Sequence, residues 1–253
     1  MYKTTTIAAL AIASFATPTI AQDINAASVS AAYTSYTDDN FDSSFTNLEA
    51  GIEVGLASAF AIGGNLAVYG GDLDDGAANA TVHGMYMMSP DTALGGFVGL
   101  DSKGDFDATL YGIEFGTGSE STRAEAYYGV IDSDDLTGDF SVAGFSFEFA
   151  IAPSFTLGIG YEAFTIADGF TPPGTTVSED LTYSDTSLIA RYLFEGGTSV
   201  FAEIGQVGFS AATDDTLYVS ANDLEYFAIG AEYAFGRATG TLLGERTFVG
   251  WGL

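Results

Sequence analysis

The stretch FSFEFAIAPSFTLGIGYEAF, residues 145–164, alternates large apolar side chains with small or acidic ones. The large apolar side chains belong to Phe145, Phe147, Phe149, Phe155, Leu157, Ile159 and Tyr161. Between them stand serine, threonine, glycine and the acids Glu148 and Glu162, and the pair 153–154 separates the two halves. A period of two residues puts successive side chains on opposite faces of a β-strand. The stretch therefore predicts two adjacent strands with one apolar face and one face of glycine and glutamate.

The same alternation recurs along most of the chain. It is clearest at 47–56, 108–116, 122–130 and 226–235, where apolar side chains oppose glycine and glutamate. Runs of nine or ten residues with this period indicate strands rather than helices. We predict twelve strands, near 26–37, 45–59, 64–72, 78–89, 93–101, 106–116, 121–131, 140–151, 154–165, 182–194, 198–209 and 223–235.

The connections between these strands alternate between two kinds. One kind is rich in aspartate and occurs at 38–42, 72–76, 101–107, 132–139, 178–185 and 213–215. The other is short and small, and occurs at 63–64, 89–92, 116–119, 152–154 and 195–198. Because the two kinds interleave, successive hairpins carry acidic loops at one end and tight turns at the other. This arrangement predicts an up-and-down meander with two chemically different ends.

The composition excludes several classes of protein. The formal net charge is −28, with only six lysines and arginines, and nucleic-acid binding requires the opposite sign. The chain is also 47% hydrophobic, which is not typical of an acidic disordered protein. It has no cysteine. Export without disulfides favours a bacterial envelope protein over a small secreted domain held by disulfide bonds.

Export itself is predicted from the first residues. Lys3 provides a positive start, residues 7–16 are apolar but too short to span a bilayer as a helix, and 19–21 offer a small-x-small cleavage site. We therefore predict a signal peptide at 1–21 that is not part of the fold. Beyond it, no run of 18 apolar residues predicts a transmembrane helix.

Three features predict that the apolar face points outward, into lipid. The opposite face is mostly glycine, alanine, serine and threonine, and after residue 21 only Lys103 provides a lysine, whereas a soluble exterior carries many. Aromatic residues stand near strand ends, as in the interfacial girdles of membrane barrels; they are Phe106, Phe115, Phe140, Phe149, Phe155, Phe164, Tyr183 and Phe194. Strands of nine to twelve residues match a tilted bilayer crossing, and a sheet in lipid must close. The predicted fold is all-β, a transmembrane antiparallel up-and-down β-barrel of about 12 strands (range 12–14).

With these features, the chain resembles the β-barrel proteins of the Gram-negative outer membrane, porins in particular. The most specific element is Tyr233-x-Phe235, which resembles the aromatic-x-aromatic end of the last strand that the outer-membrane assembly machinery reads. The resemblance implies a location in the cell outer membrane. It also implies contact with outer-membrane lipid and lipopolysaccharide, with the assembly machinery through Tyr233 and Phe235, and with small hydrophilic solutes. It leaves the oligomeric state open.

The aromatic pair is not at the end of this sequence. Residues 22–235 are predicted to form the barrel, and the C-terminal segment 236–253, beginning GRATGTLLGERTF, follows it. This segment is predicted to be an extra strand or a periplasmic tail, and a third placement, folded back inside the barrel, also stays open. The strand number depends on which placement holds.

The alternation assigns a set of ionisable side chains to the lumen. They are Glu49, Glu53, Glu114, Arg123, Glu125, Glu148, Glu162, Arg191, Glu203 and Glu232. Acids outnumber bases eight to two in this set, which favours cations over anions. We predict a porin-like channel for passive diffusion of small hydrophilic solutes, with a preference for cations. Arg123 and Arg191 are predicted to set a transverse field at a constriction. An equally open alternative for Arg123 is that it simply pairs with Glu125 or with an acid of a neighbouring strand.

Two other readings compete with the channel. A non-conducting structural barrel, filled by its own side chains or by the C-terminal segment, is the first. An enzyme is the second, but the single histidine, His83, has no recognisable nucleophile motif beside it, and the parity of its strand is ambiguous. We predict no enzymatic activity, no metal site and no cofactor. The longest loop, 166–181, is either exposed or folded into the pore.

Overall fold

The computed structural model describes residues 24–37, 43–57, 59–71, 76–119, 121–133, 138–170, 179–213, 216–220, 224–236 and 243–247. The predicted signal peptide, 1–21, lies outside these ranges, as do 237–242 and 248–253 of the C-terminal segment. No helix among the described residues is long and apolar enough to cross a membrane.

The described chain is built from thirteen strands. They are β1 (Ile24–Tyr36), β2 (Ser44–Ala57), β3 (Phe60–Gly71), β4 (Ala77–Ser89), β5 (Thr92–Lys103), β6 (Phe106–Gly118), β7 (Thr122–Asp132), β8 (Phe140–Ala152), β9 (Phe155–Phe170), β10 (Glu179–Leu193), β11 (Thr198–Thr213), β12 (Thr216–Ser220) and β13 (Leu224–Gly236). All pairings between them are antiparallel.

Twelve of these strands close into a barrel. From β1 to β11 each strand pairs with the next, and β13 pairs with both β11 and β1, with Tyr233 opposite Val29. The short β12 pairs only with the end of β11 and extends that strand as a hairpin. Closure leaves no unpaired edge, which is what a sheet in lipid requires. The predicted antiparallel barrel of about 12 strands is confirmed.

The strand boundaries agree with the alternation except in three places. The hairpin strand β12 was not predicted. The predicted loop 166–181 is shorter, because β9 continues to Phe170 and β10 begins at Glu179. The predicted turn at 63–64 is wrong, since both glycines lie within β3, and the connection from β2 lies at 58–59. A Cβ at Gly63 would lie 3.2 Å from the terminal methyl of Met85, so the side chain of Met85 packs closely against this part of β3.

The two ends of the barrel differ as the connections predict. Strands β1, β3, β5, β7 and β9 finish at the end here called the loop end, and β2, β4, β6, β8 and β10 finish at the opposite end, here called the turn end. At the turn end, Gly196 and Gly197 have φ of 86° and 88°, which residues with a side chain rarely adopt. The Gly-Gly pair therefore fixes the tight connection between β10 and β11.

The outer surface of the barrel is apolar. Ile113, Ile204 and Leu48 expose 65%, 60% and 56% of their surface, and they lie on three different strands. In the opening stretch, Phe145 and Tyr161 point outward, while Glu148 and Glu162 lie on the inner face. A continuous belt of exposed apolar side chains is not stable in water but suits a bilayer. The outer face is that of a membrane-spanning barrel.

The aromatic residues at the strand ends do not all form girdles. Phe115, Phe149 and Phe194, near the turn end, are exposed. The four predicted girdle residues near the loop end are inside the barrel: Phe140 and Phe164 belong to a buried cluster with Phe97, Ala108, Leu110, Ile131 and Val142, and Phe106 and Tyr183 pack against it. The girdle interpretation is therefore wrong for these four residues. Phe140 and Phe149 are an odd number of residues apart, and so are Phe155 and Phe164, which puts the two members of each pair on opposite faces.

Candidate functional site: the barrel lumen

All ten ionisable residues assigned to the lumen lie on the inner face of the barrel. Glu53, Glu114 and Glu125 are buried, at 0%, 2% and 9% exposed, and the other seven are partly buried. Two uncharged amides bind members of this set: Asn25 donates to Glu53 at 2.9 Å, and Asn65 donates to Glu49 at 3.5 Å. The inner face is therefore acidic, and whether these residues line a conducting pore is a separate question.

Arg191 forms a charge cluster near the turn end. Its guanidinium donates to Glu232 at 2.7 Å and lies 3.5 Å from Glu148, so it joins β10 to β13 and β8. It also donates to the hydroxyl of Ser199 at 3.2 Å and lies 5.2 Å from the ring centre of Phe201. One arginine is thus shared by two lumen acids and offsets half of their charge.

The described part of the C-terminal segment, residues 243–247, lies inside the barrel. The sequence leaves three placements open for the C-terminal segment, and these five residues adopt the third, folded back inside the barrel. Leu243 is 3% exposed and packs with Ala61, Met85 and Ala93 near the turn end. Thr247 donates to Asp101 at 3.0 Å, close to the loop end. The segment therefore rises along the lumen from the end at which β13 finishes.

Arg246 is the centre of the contacts between this segment and the wall. Its guanidinium binds Glu114 at 2.9 Å and also forms an ion pair with Glu125. It lies 4.1 Å from the ring centre of Tyr127 and 5.6 Å from that of Phe97, both within cation–π range. The residue is 2% exposed. A buried guanidinium with two carboxylates and two aromatic rings is held in one position.

The backbone of the segment is also fixed to the wall. The amide of Arg246 donates to Thr81 at 3.1 Å, and its carbonyl oxygen accepts from Asn79 at 2.7 Å. The amide of Gly244 donates to Glu125 at 3.2 Å. A Cβ on Gly99 would lie 2.8 Å from the carbonyl oxygen of Arg246, so a glycine at this point of β5 lets the segment approach.

His83 lies on the inner face, which resolves the ambiguous parity of its strand. It is 1% exposed. Its Nδ1 lies 2.7 Å from Oε1 of Glu114, and its Nε2 lies 2.8 Å from Oδ1 of Asn65. Glu114 therefore contacts His83 with one oxygen and Arg246 with the other. The histidine belongs to the buried network beneath the segment.

The other side of the lumen contains a cavity of about 400 Å³. Its wall comes from β1, β2, β3, β7, β8, β9, β10, β11 and β13, and its inner boundary includes Glu245, Arg246 and Thr247. Three further wall acids face it and accept hydrogen bonds from tyrosine hydroxyls. Tyr127 donates to Glu162, while Tyr226 donates to Asp185 at 3.0 Å and to Glu203 at 2.8 Å.

An apolar cluster bounds this cavity toward the loop end. Its members are Tyr36, Phe45, Ala67, Tyr69, Ala77 and Tyr226, and four of the six also line the cavity. Tyr69 additionally donates a hydrogen bond to Glu245 of the C-terminal segment. The cavity is therefore acidic at mid-depth and aromatic toward the loops.

Several residues of the lumen were not among the sequence predictions. Asp185 could have been found, because it lies two residues from Ser187 and six from Arg191 on the same face of β10. Arg246 and Glu245 could not, since the segment that carries them has no strand period. Within the described ranges, no group of three or more His, Cys, Asp or Glu side chains is arranged to hold a metal ion.

No family model and no curated protein sequence matches the chain. Solved structures do match. The KdgM porin in complex with disordered oligogalacturonate has a TM-score of 0.56 and 10% identity, over 82% of this chain and 99% of that one. The NanC porin has a TM-score of 0.54 and 7% identity, over 82% of this chain and 98% of that one. An outer-membrane channel from Pseudomonas putida F1 has a TM-score of 0.54 and 10% identity, over 85% of this chain and 97% of that one. The chain therefore has the fold of outer-membrane porins.

Proposed function

We propose that this protein is a porin-like channel of the Gram-negative outer membrane that passes small hydrophilic solutes and prefers cations. The observation that supports the proposal is the cavity of about 400 Å³, which lies within a closed barrel and is lined by carboxylates. A concave, acidic passage raises the local concentration of cations and lowers that of anions.

The charges on the inner face support the sign of this preference. Arg191 is shared by Glu148 and Glu232, and Arg246 is shared by Glu114 and Glu125. In the cavity, Glu162, Asp185 and Glu203 accept hydrogen bonds from tyrosine hydroxyls. A neutral donor orients a carboxylate without cancelling its charge. The cavity wall therefore carries acidic side chains whose hydrogen-bond donors are neutral.

This charge separates the proposed solutes from the ligand in one of the similar structures. Oligogalacturonate is a chain of sugar acids and therefore a polyanion. The cavity described above would repel a polyanion, because its carboxylates face the space that the ligand would occupy. We infer that small cations and neutral solutes are the permeant class.

A non-conducting structural barrel is the second candidate. It is favoured by the presence of residues 243–247 inside the lumen and by the apolar clusters near the loop end. A third reading, an enzyme built on His83, is not supported, because both ring nitrogens of His83 already face Glu114 and Asn65.

The test is the conductance of refolded residues 22–253 in a planar bilayer, with the reversal potential measured under a salt gradient. Stable conductance steps with a cation-selective reversal potential would support the proposal. The double variant Asp185→Asn, Glu203→Gln should lower the cation-to-anion permeability ratio by about twofold, because two ionisable carboxyl groups leave the cavity wall. Glu195→Gln, an exposed residue in the turn after β10, is the matched control and should leave the ratio unchanged.

Each part of the proposal can fail separately. An anion-selective wild-type channel would contradict the cation preference while leaving the channel in place. Absence of steps from protein with the expected β-sheet circular dichroism would contradict the channel and favour the structural barrel.

A further inference from the structure

We propose that residues 243–247, here called the lumen segment, form the constriction of the channel, and that Arg246 is a specificity-determining residue. The proposal rests on the proposed function, since a constriction matters only if solutes pass. It assigns the narrowing to a segment that follows the last barrel strand rather than to the barrel wall or to a loop between strands.

The first step is the direction of the segment. Leu243 packs near the turn end, and Thr247 reaches Asp101 near the loop end. Five extended residues cover at most about 17 Å, which is roughly half the thickness of the hydrocarbon core. The lumen segment therefore follows the axis of the barrel through its central layer, where a solute must pass.

The second step is its position across the lumen. The segment contacts β3 through Tyr69, β4 through Thr81, β5 through Asp101, and β6 and β7 through Glu114 and Glu125. All these strands are on one side of the ring. The cavity lies mainly against the other strands, although Tyr69 and Glu125 also line it, and Glu245, Arg246 and Thr247 form part of its boundary. The segment thus fills one side of the lumen and forms a wall of the remaining passage.

The third step is the charge that the segment brings. Arg246 forms ion pairs with Glu114 and Glu125 on the barrel wall. If the segment were absent, both carboxylates would lose this positive partner. The hydrogen bond that its amide donates to Thr81 and the one that its carbonyl oxygen accepts from Asn79 hold the backbone in place, so the guanidinium stays at this position. Arg246 therefore reduces the negative charge on the side of the lumen that the segment occupies.

Removing the segment should widen the passage and make it more acidic. A chain truncated after Gly236 retains every strand of the barrel, because β13 ends there. We expect its single-channel conductance to rise by about twofold or more, and its cation-to-anion permeability ratio to increase. In Arg246→Ala the segment keeps its backbone contacts, so the permeability ratio should rise while conductance changes less.

A pair of glycine variants tests the contact independently of charge. Gly99→Ala introduces a Cβ against the carbonyl oxygen of Arg246, whereas a Cβ on Gly84, on the outer face of β4, meets no described atom within 4 Å. If the segment is held against Gly99, Gly99→Ala should allow trypsin to cleave after Arg246, and Gly84→Ala should not. Cleavage is identified by mass spectrometry of the folded protein in detergent.

Conductance outcomes separate the two proposals. Conduction by the full chain with unchanged conductance after truncation would overturn the constriction and retain the channel. If only the truncated chain conducted, the lumen segment would be shown to close the passage completely. That result would support the constriction and overturn the proposal that the full chain is an open channel.

Cysteine labelling decides the case in which neither chain conducts, and it uses the absence of native cysteine. Thr81→Cys lies beneath the segment, and Ser30→Cys lines the cavity. A small water-soluble maleimide should label Thr81→Cys much faster in the truncated chain than in the full chain, with Ser30→Cys labelled at similar rates in both. Equal labelling of Thr81→Cys in the two chains would overturn the proposal.

Discussion

Arg191 shows how one side chain organises the turn end of the lumen. It joins three strands that are not all neighbours, through Glu148 on β8 and Glu232 on β13. Its planar guanidinium also stacks near Phe201 at 5.2 Å. Lysine has the same charge but lacks the planar fork that can donate in several directions at once. The charge and the shape of Arg191 can therefore be tested separately.

We predict that Arg191→Ala raises the cation-to-anion permeability ratio, because Glu148 and Glu232 then face the lumen without their shared cation. Arg191→Lys should keep the ratio near that of the wild type. Both variants should lower the free energy of unfolding in urea, by about 1–3 kcal/mol, since hydrogen bonds to charged groups are lost. A permeability ratio that changes equally in both variants would show that geometry, not charge, sets the selectivity.

At the residue scale the sequence predicted which face of the barrel a side chain lies on, but not which side chain it contacts. Period two alone is enough to put Glu148, Glu162 and Arg191 on the same face of the sheet, since the rule is local. It says nothing about which strand lies across the lumen, so the pairing of Arg191 with Glu232, 41 residues away, could not be predicted. Arg123, assigned either to a field or to a pair with Glu125, lies on the inner face, and Glu125 is bound by Arg246.

At the scale of elements, the barrel strands were predictable from the sequence, and the position of the lumen segment inside the barrel was not. Most barrel strands repeat the same alternation, and the connections repeat two compositions, so the evidence accumulates along the chain. Residues 243–247 have no repeat, and their position depends on contacts with five strands. The aromatics at the loop end were misassigned for a different reason, because the girdle interpretation ignored the odd spacing of Phe155 and Phe164.

The end of β13 provides a prediction about assembly. Tyr233 and Phe235 are exposed on the outer face, with ring centres 5.9 Å apart, in the pattern that resembles the assembly signature. We predict that Tyr233→Ala, Phe235→Ala reduces the amount of folded barrel in the outer membrane by about tenfold, a difference of 1.4 kcal/mol in assembly free energy. The measurement is the heat-modifiable band of membrane fractions on a gel.

The matched control for this prediction is an identical pair on another strand. Tyr192 and Phe194 also form an exposed aromatic-x-aromatic pair at the turn end, with ring centres 4.9 Å apart. Loss of this pair removes a similar exposed aromatic area near the same end of the barrel, but not from the last barrel strand. Equal losses of folded barrel for the two double variants would contradict a specific role for Tyr233 and Phe235.

At the scale of the whole molecule, the two faces of the barrel have opposite chemistry. The outside is apolar, with Ile113 65% exposed near the middle of β6. The inside holds buried carboxylates such as Glu53 and Glu114. A soluble barrel would require the reverse arrangement. The outward position of the apolar face therefore indicates that the barrel is surrounded by lipid rather than by water. It can be tested without reference to conduction.

The cost of a charge on the outer face should depend on depth. Ile113→Lys introduces an ammonium group near the bilayer midplane, which we expect to lower the free energy of unfolding by about 2–4 kcal/mol. Thr122→Lys, at the turn-end start of β7, should cost only about 0–1 kcal/mol because the side chain reaches the interface. Urea unfolding in lipid vesicles measures both. If Ile113→Lys were no more costly than Thr122→Lys, the apolar face would not be in lipid, and the channel across a membrane would lose its physical basis.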